Sequence, residues 1–191
     1  MKKETILFVF LALTAGILIG VIVTNSKKDQ ASSVPAAIPA PAPVINQQQQ
    51  TIVLEEIVAR EPGNRNAWVQ IGHSYFDSDQ PMKAIHAYAK ALELNGNDPN
   101  ILTDQGVMYR RVGWFDKAIS NFEKAQSIDK NHQQSLYNMG IVYRYDLQDF
   151  AKARMVWEQF IAIDPGSPGA RQVQSELDFL KSHPEVSKTT Q

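Results

Sequence analysis

The chain has 191 residues, 43% of them hydrophobic and 20% charged, which is enough for one globular domain with additional segments. Its formal net charge is −1, and residues 1–29 carry four lysines against two acidic residues, so the remainder is mildly acidic; this argues against a nucleic-acid partner, which requires a basic surface. Because the chain has no cysteine, disulfides, cysteine-bound zinc, covalently attached haem and a lipidated cysteine are excluded.

Residues 5–24 form an uncharged apolar run behind a short flank, residues 1–4. Twenty residues of helix reach about 30 Å, the thickness of the hydrocarbon core of a bilayer, so the run predicts one N-terminal transmembrane anchor. The alternative is a cleavable signal peptide, whose apolar stretch is ordinarily ~7–15 residues. Here the run is longer and ends at polar residues and lysines, which favours retention of the anchor.

The orientation of the predicted anchor is not fixed by charge, because two lysines flank the run on each side. A short flank before the run and a folded domain after it is the layout of an uncleaved signal anchor, which predicts a domain outside the cytoplasm. Ala12, Gly16 and Gly20 fall four residues apart on one helix face and permit a homodimer contact. The simpler interpretation is that small residues are common in membrane helices.

Residues 25–50 are rich in proline, alanine and glutamine and predict a flexible linker. Four prolines, at positions 35, 39, 41 and 43, prevent a regular helix and favour an extended polyproline conformation. Twenty such residues span up to ~60 Å, so the linker is expected to hold the domain off the membrane. Use of the segment as a ligand for another domain is the less favoured alternative.

The remainder of the sequence repeats itself at intervals of 34 residues. Position by position, the repeated residues are Trp68, Leu102 and Leu136; Gly72, Gly106 and Gly140; Tyr75, Tyr109 and Tyr143; Ala84, Ala118 and Ala153; and Tyr88, Phe122 and Trp157. The last two sets reach their third copy after 35 residues, which indicates one extra residue in the turn of that copy.

This pattern resembles the tetratricopeptide repeat (TPR), in which a Trp-x2-Leu-Gly-x2-Tyr motif is followed by Ala-x3-Phe. The resemblance implies an all-α superhelix of helix-turn-helix repeats, with copies at 65–98, 99–132 and 133–166. Capping helices are predicted within 51–64 and 167–182, and a tail at 183–191. The repeated glycines and alanines are expected to let the two helices of a repeat approach closely, with the aromatic residues filling the remaining space.

Two departures from the family pattern carry expectations about packing. Gln105 stands where the family has leucine, which is expected to loosen the second helix pair. Phe160 stands where a small residue is usual, so the end of the third copy is expected to pack against the helix that follows.

In this family the first helix of each repeat lines a concave groove that binds a peptide or a partner's helix. The aligned positions are Asn66, Val69, Gln70, His73, Phe76, Asn100, Thr103, Asp104, Val107, Arg110, Arg111, Gln134, Tyr137, Asn138, Ile141, Arg144 and Tyr145. The three arginines suggest recognition of a carboxylate, although cations are also favoured at helix ends. Of the positions where relatives clamp a terminal carboxylate, only Asn138 has a suitable side chain, so a different peptide specificity is expected.

No catalytic arrangement is found in the sequence. The four histidines lack metal-binding spacing, and no phosphate-binding loop or nucleophile motif is present, so the chain is predicted to be no enzyme and to hold neither cofactor nor metal. Asp77 and Asp79 are placed in a turn, where capping is their ordinary role.

The plan of anchor, linker and repeats resembles that of bacterial inner-membrane TPR proteins. Some of these assist cytochrome c maturation and others accompany secretion or envelope-assembly machines, so the resemblance implies a scaffold in the inner membrane with a periplasmic repeat domain. Structural self-assembly of the membrane protein and an organelle-surface import receptor are the two alternatives.

Overall fold

The computed structural model describes residues 46–183. The predicted anchor at 5–24, its dimer positions Ala12, Gly16 and Gly20, and nearly all of the predicted linker lie outside this range. Within it the fold is all-α, as expected, with no strand and no helix long and apolar enough to cross a membrane. The helices are α1 (Gln47–Arg60), α2 (Arg65–Asp77), α3 (Pro81–Leu94), α4 (Pro99–Arg111), α5 (Phe115–Ile128), α6 (Gln133–Ile141, continued by a π-helical turn, Val142–Asp146), α7 (Phe150–Ile163) and α8 (Pro168–Ser182).

The first helix of the domain begins earlier than the sequence predicts. Asn46 accepts a hydrogen bond from the backbone N–H of Gln49, and the Gln49 side chain accepts one from the backbone N–H of Asn46. This reciprocal capping box satisfies two backbone donors at the helix start, so the glutamine run is helical from Gln47. The prediction that the linker extends to residue 50 is therefore wrong for its last four residues.

Each first helix, and α8 after them, starts at a side-chain cap that recurs with the repeat. Asn64, Asp98, His132 and Ser167 each accept a hydrogen bond from a backbone N–H in the first turn of the helix that follows. The four caps set where α2, α4, α6 and α8 begin and so keep the repeats in register.

The two helices of each repeat meet where a glycine faces an aromatic ring. A Cβ added to Gly106 would lie 2.5 Å from Cε1 of Phe122, and a Cβ at Gly72 or Gly140 would collide in the same way with Tyr88 or Trp157. Only glycine therefore allows the first helix to lie directly on the ring of the second. We call these three contacts the glycine–aromatic seam.

The residues predicted to pack the repeats are buried in the interior, with two exceptions. Ala84, Ala118 and Ala153 are fully inaccessible, and all the predicted packing residues except Trp68 and Tyr109 are buried. Trp68 is half-buried because its indole N–H reaches the surface carbonyl of Pro62. Tyr109 is likewise half-buried and lies beside Trp114 at the turn between α4 and α5.

The extra residue of the third copy lies in a helix rather than in a turn. The connections after α2 and α4 contain a residue of positive φ, Asp79 and Gly113, and the third connection keeps the same feature at Gln148. The additional residue precedes it, in the π-helical turn, where the N–H of Leu147 bonds back to the carbonyl of Val142. A π turn absorbs one residue within a helix, so the turn itself keeps its shape.

Gln105 does not leave its helix pair loose. Its side chain is 4% exposed, and its Nε2 donates to the carbonyl of Ile85 on α3 at 3.0 Å. Nδ2 of Asn121 on α5 donates to Gln105 Oε1 at 2.8 Å. Because both ends of the amide are bonded, Gln105 connects α4 to a helix on either side, and the expectation of loosening is wrong.

The C-terminal end packs as the sequence predicts. Phe160 is buried against α8, where its ring lies against Gly169 and shares a cluster with Ala170 and Val173. The opposite face of α8 is exposed and mostly polar, with Gln174, Ser175 and Asp178 on it. Helix α8 therefore closes the array with a solvated surface.

Candidate binding groove

The first helices of successive repeats lie side by side, with α4 packed against both α2 and α6 through side-chain contacts. Of the seventeen positions predicted to line their common face, seven are exposed and nine are half-buried. Thr103 is the exception. It is 1% exposed and its hydroxyl donates to the carbonyl of Pro99, so it contributes no surface, and its assignment to the groove is wrong.

The arginines of this face are matched by carboxylates of the same chain. Nε and Nη2 of Arg110 bond to the carboxylate of Asp146 in a bidentate pair. Arg111 bonds to Asp79 at 2.9 Å, and its guanidinium lies 4.8 Å from the ring centre of Phe76. Both pairs join the end of α4 to a neighbouring repeat; the pair with Asp146 is half-buried, and the pair with Asp79 lies at the surface.

Arg144, the third arginine, lies close to a carboxylate, but its buried Nε makes no hydrogen bond among the described residues. Its Nε lies 3.5 Å from Oε2 of Glu176 on α8, its guanidinium lies over the rings of Tyr145 and Phe150, and its side chain is 15% exposed. Burial raises the pKa of the Tyr145 phenol, and the hydrogen bond that this phenol donates to the Glu176 carboxylate raises it further. The three arginines were expected to recognise a carboxylate of a ligand. Each of them instead already faces a carboxylate of this chain.

The acidic side chains of the groove lie near α2 and the start of α4. Nδ1 of His73 is 2.9 Å from the buried hydroxyl of Tyr88 and 3.7 Å from Oδ2 of Asp104. Burial raises the pKa of Asp104, and His73 opposes that effect. Burial also raises the pKa of Tyr88, and the negative charges of Asp104 and Asp77 raise it further. The carboxylates of Asp104 and Asp77 therefore both act on the hydroxyl group of Tyr88.

A small pocket opens beside this region, between α1 and α2. Its volume is about 230 Å³, and its walls are formed by Gln50, Leu54, Gln70, His73, Ser74 and Asp77. We call it the α1–α2 pocket. Asp77 is the last residue of α2 and not part of a turn as predicted. The sequence identifies Gln70 and His73 as groove residues but misses the wall from α1, because Gln50 was assigned to the linker.

A polar junction joins the second and third copies at the edge of the groove. Nδ1 of His132 accepts the N–H of Ser135 as the cap of α6, and its Nε2 lies 3.0 Å from Oδ1 of Asn100 on α4. Nδ1 therefore carries no proton, and Nε2 is the donor to Asn100. Burial lowers the pKa of His132, while Asp129 and Asp98 oppose that effect.

Comparisons with known proteins agree with this architecture. The tetratricopeptide-repeat family model matches residues 66–98 and 99–132. Protein O-mannosyl-transferase TMTC1 of Mus musculus is 26% identical over 133 residues, which is 68% of this chain and 14% of that protein. The formate-dependent nitrite reductase complex bifunctional subunit NrfFG of Haemophilus influenzae is 27% identical over 134 residues, 67% of this chain and 35% of that protein.

A solved structure shares the same fold. The crystal structure of YrrB, described as a TPR protein with an unusual peptide-binding site, superposes with a TM-score of 0.63 at 24% identity, covering 68% of this chain and 66% of that one. These matches agree with the three-copy spacing and with the glycine–aromatic seam. Residues 66–132 of this chain match the tetratricopeptide-repeat family model, and the helical domain has the fold of a tetratricopeptide-repeat protein.

Proposed function

We propose that the chain is a membrane-anchored scaffold that binds a polypeptide in the groove formed by α2, α4 and α6. The observation that carries the proposal is a face of three adjacent helices on which exposed amide side chains recur. Asn66, Gln70 and Gln134 are exposed and have no side-chain hydrogen-bond partner among residues 46–183. Free amides offer donors and acceptors to the main chain of an extended ligand.

The anchor and location are proposed from the sequence. Residues 5–24 have the length and apolarity of one membrane span, and the proline-rich segment after them gives the domain reach. We place the chain in the bacterial inner membrane with its repeats in the periplasm. Dimerisation through Ala12, Gly16 and Gly20 remains a proposal of the same kind.

Assembly of envelope proteins or enzyme complexes, including cytochrome c biogenesis, is the pathway we propose. Support comes from the Haemophilus relative, which is named as a subunit of the formate-dependent nitrite reductase complex. The exposed surface of α8, which would meet a second copy in end-to-end stacking, carries the polar residues Gln174, Ser175 and Asp178 beside the partly exposed Phe179. The groove is therefore a better candidate for the binding surface than the end of the array.

Site-specific photo-crosslinking in the native membrane tests the proposal. A photoreactive residue at Gln134, on the groove side of α6, is compared with one at Lys124, which is exposed on α5. We expect a discrete non-self protein to be trapped from position 134 and not from position 124.

Two other outcomes would count against the groove. Products that are only dimers of the chain would favour structural self-assembly. Equal yields of the same adduct from positions 134 and 124 would mean that contact with the adduct protein does not depend on the groove.

A further inference from the structure

Charge is distributed unevenly along the groove. Arg110, Arg111 and Arg144 are each paired with a carboxylate of the chain. Asp77 has no ion-pair partner within the described range, and the only one that Asp104 has there is His73. The accessible charge at the α2 end of the groove is therefore negative, opposite to what the three arginines suggest from sequence.

The α1–α2 pocket has the chemistry of a receptor for one basic side chain. Leu54 supplies an apolar wall for the methylene groups of such a side chain, which pack readily against apolar surface. Gln50 and Gln70 supply amide oxygens that accept hydrogen bonds, and the carboxylate of Asp77 supplies the opposite charge. Asp104 on the neighbouring helix lies 3.7 Å from Nδ1 of His73, another wall residue of the pocket.

We propose that the α1–α2 pocket receives a lysine or arginine side chain of the bound polypeptide, with Asp77 as its counter-charge. The inference rests on the proposed function, because it assigns a ligand preference to the same groove. A metal ion is the less suitable occupant. No group of three or more histidine or acidic side chains converges anywhere in residues 46–183. One carboxylate beside two amides suits an ammonium or guanidinium group instead.

Selection from a random peptide library on the full-length chain in detergent tests the proposal. Selected peptides are then labelled, and their affinities are measured by fluorescence polarisation. We expect them to share a lysine or arginine at a fixed position. Replacing that residue with glutamine is expected to weaken binding about fivefold, the effect of one partly exposed ion pair.

The variant Asp77→Asn tests the partner in the pocket. It should weaken the basic peptides about fivefold and leave their glutamine counterparts unchanged, because the two replacements remove the same pair. Asp116→Asn is the matched control, since Asp116 is an exposed residue of α5 away from the pocket. It should change neither affinity.

The outcomes separate this inference from the proposed function. Peptides that lose affinity when Gln70 and Gln134 are changed to alanine, but show no preference for a basic residue, would overturn the cation pocket and leave the groove intact. If no selected peptide responds to those alanine changes, both proposals fail. A basic preference that Asp77→Asn does not alter would also overturn the assignment of the pocket.

Discussion

The glycine–aromatic seam and the groove use different residues of the same first helices, and the two sets differ in how they recur along the sequence. The seam has the same chemistry three times, with Gly72, Gly106 and Gly140 each facing a ring. Some groove positions change from copy to copy: His73 of the first copy is followed at the equivalent positions by Val107 and Ile141. The seam repeats its chemistry in all three copies, whereas the groove keeps it at some positions, such as Asn66, Asn100 and Gln134, and changes it at others.

This contrast separates stability from recognition. The seam tolerates almost no change because a single added carbon collides with a buried ring. The groove side chains of Asn66, Gln70 and Gln134 are exposed. We therefore expect substitutions in the seam to lower the free energy of unfolding, and substitutions of these three groove side chains to change binding alone.

The largest effect is expected from Gly140→Ala. The new methyl group would collide with the indole of the fully buried Trp157, and overpacking of this kind costs about 1–3 kcal/mol. Denaturant unfolding followed by circular dichroism measures the change. Gly63→Ala is the control, because a Cβ there meets nothing within 4 Å. If both variants unfolded at the same denaturant concentration, the seam would not limit stability.

Gln105→Ala should rank next. The change removes a side chain that bonds to the carbonyl of Ile85 and to the amide of Asn121, and a buried polar group left without its partner costs about 1–3 kcal/mol. The exposed Gln172 provides a matched Gln→Ala control, which should be nearly neutral. A Gln105→Ala variant as stable as the native chain would mean that water or a shifted side chain replaces both hydrogen bonds.

A smaller effect is expected from pH at the junction of the second and third copies. Burial lowers the pKa of His132 in the folded chain, so the folded state binds this proton less readily than the unfolded state does. The free energy of unfolding should therefore fall as pH drops from the unfolded value, about 6.5, through the folded one. Protonation also removes the cap of α6, because Nδ1 can no longer accept a hydrogen bond.

His132→Asn tests this assignment, since asparagine caps a helix without titrating in this range. Unfolding midpoints of the native chain and the variant, measured between pH 7.5 and 5, should diverge as the pH falls, with the native chain losing more. Parallel curves would assign the acid sensitivity to other groups.

The smallest effect on stability should come from the groove itself. Changing Asn66, Gln70, Gln134 and Asn138 together to alanine removes exposed or half-buried amides from α2 and α6. Surface substitutions of this kind each change the free energy of unfolding by no more than about 0.5 kcal/mol, and alanine favours the helix. Thermal unfolding should be nearly unchanged, and a large loss would show that these amides hold the array together.

The sequence predicts the repeated part of this molecule well for a physical reason. The repeat period identifies the seam residues in the sequence, because each copy packs its two helices through the same contact between a glycine and an aromatic ring. The burial of Phe160 against α8 follows from the same logic, since a large residue at a small position needs a neighbour that accommodates it.

Features that depend on contacts between copies escape the sequence pattern. The π turn of the third copy cannot be told from a longer loop by counting residues alone. Thr103 aligns with the groove positions in the sequence, but its hydroxyl donates a hydrogen bond to the carbonyl of Pro99. The pairing of Arg110 with Asp146 spans 36 residues, so the sequence shows a free arginine where the fold has an ion pair.

Capture of a polypeptide by the fourfold groove variant tests the central claim most directly. The photoreactive residue is placed at Asn100, which also lies on the groove, so all four substitutions can be present with it. The control variant carries four alanines on the exposed side of the second helices, at Ser120, Lys124, Arg154 and Glu158. We predict that the groove variant keeps its stability and loses the crosslinked partner, while the control keeps both. Undiminished capture by a folded groove variant would contradict the account.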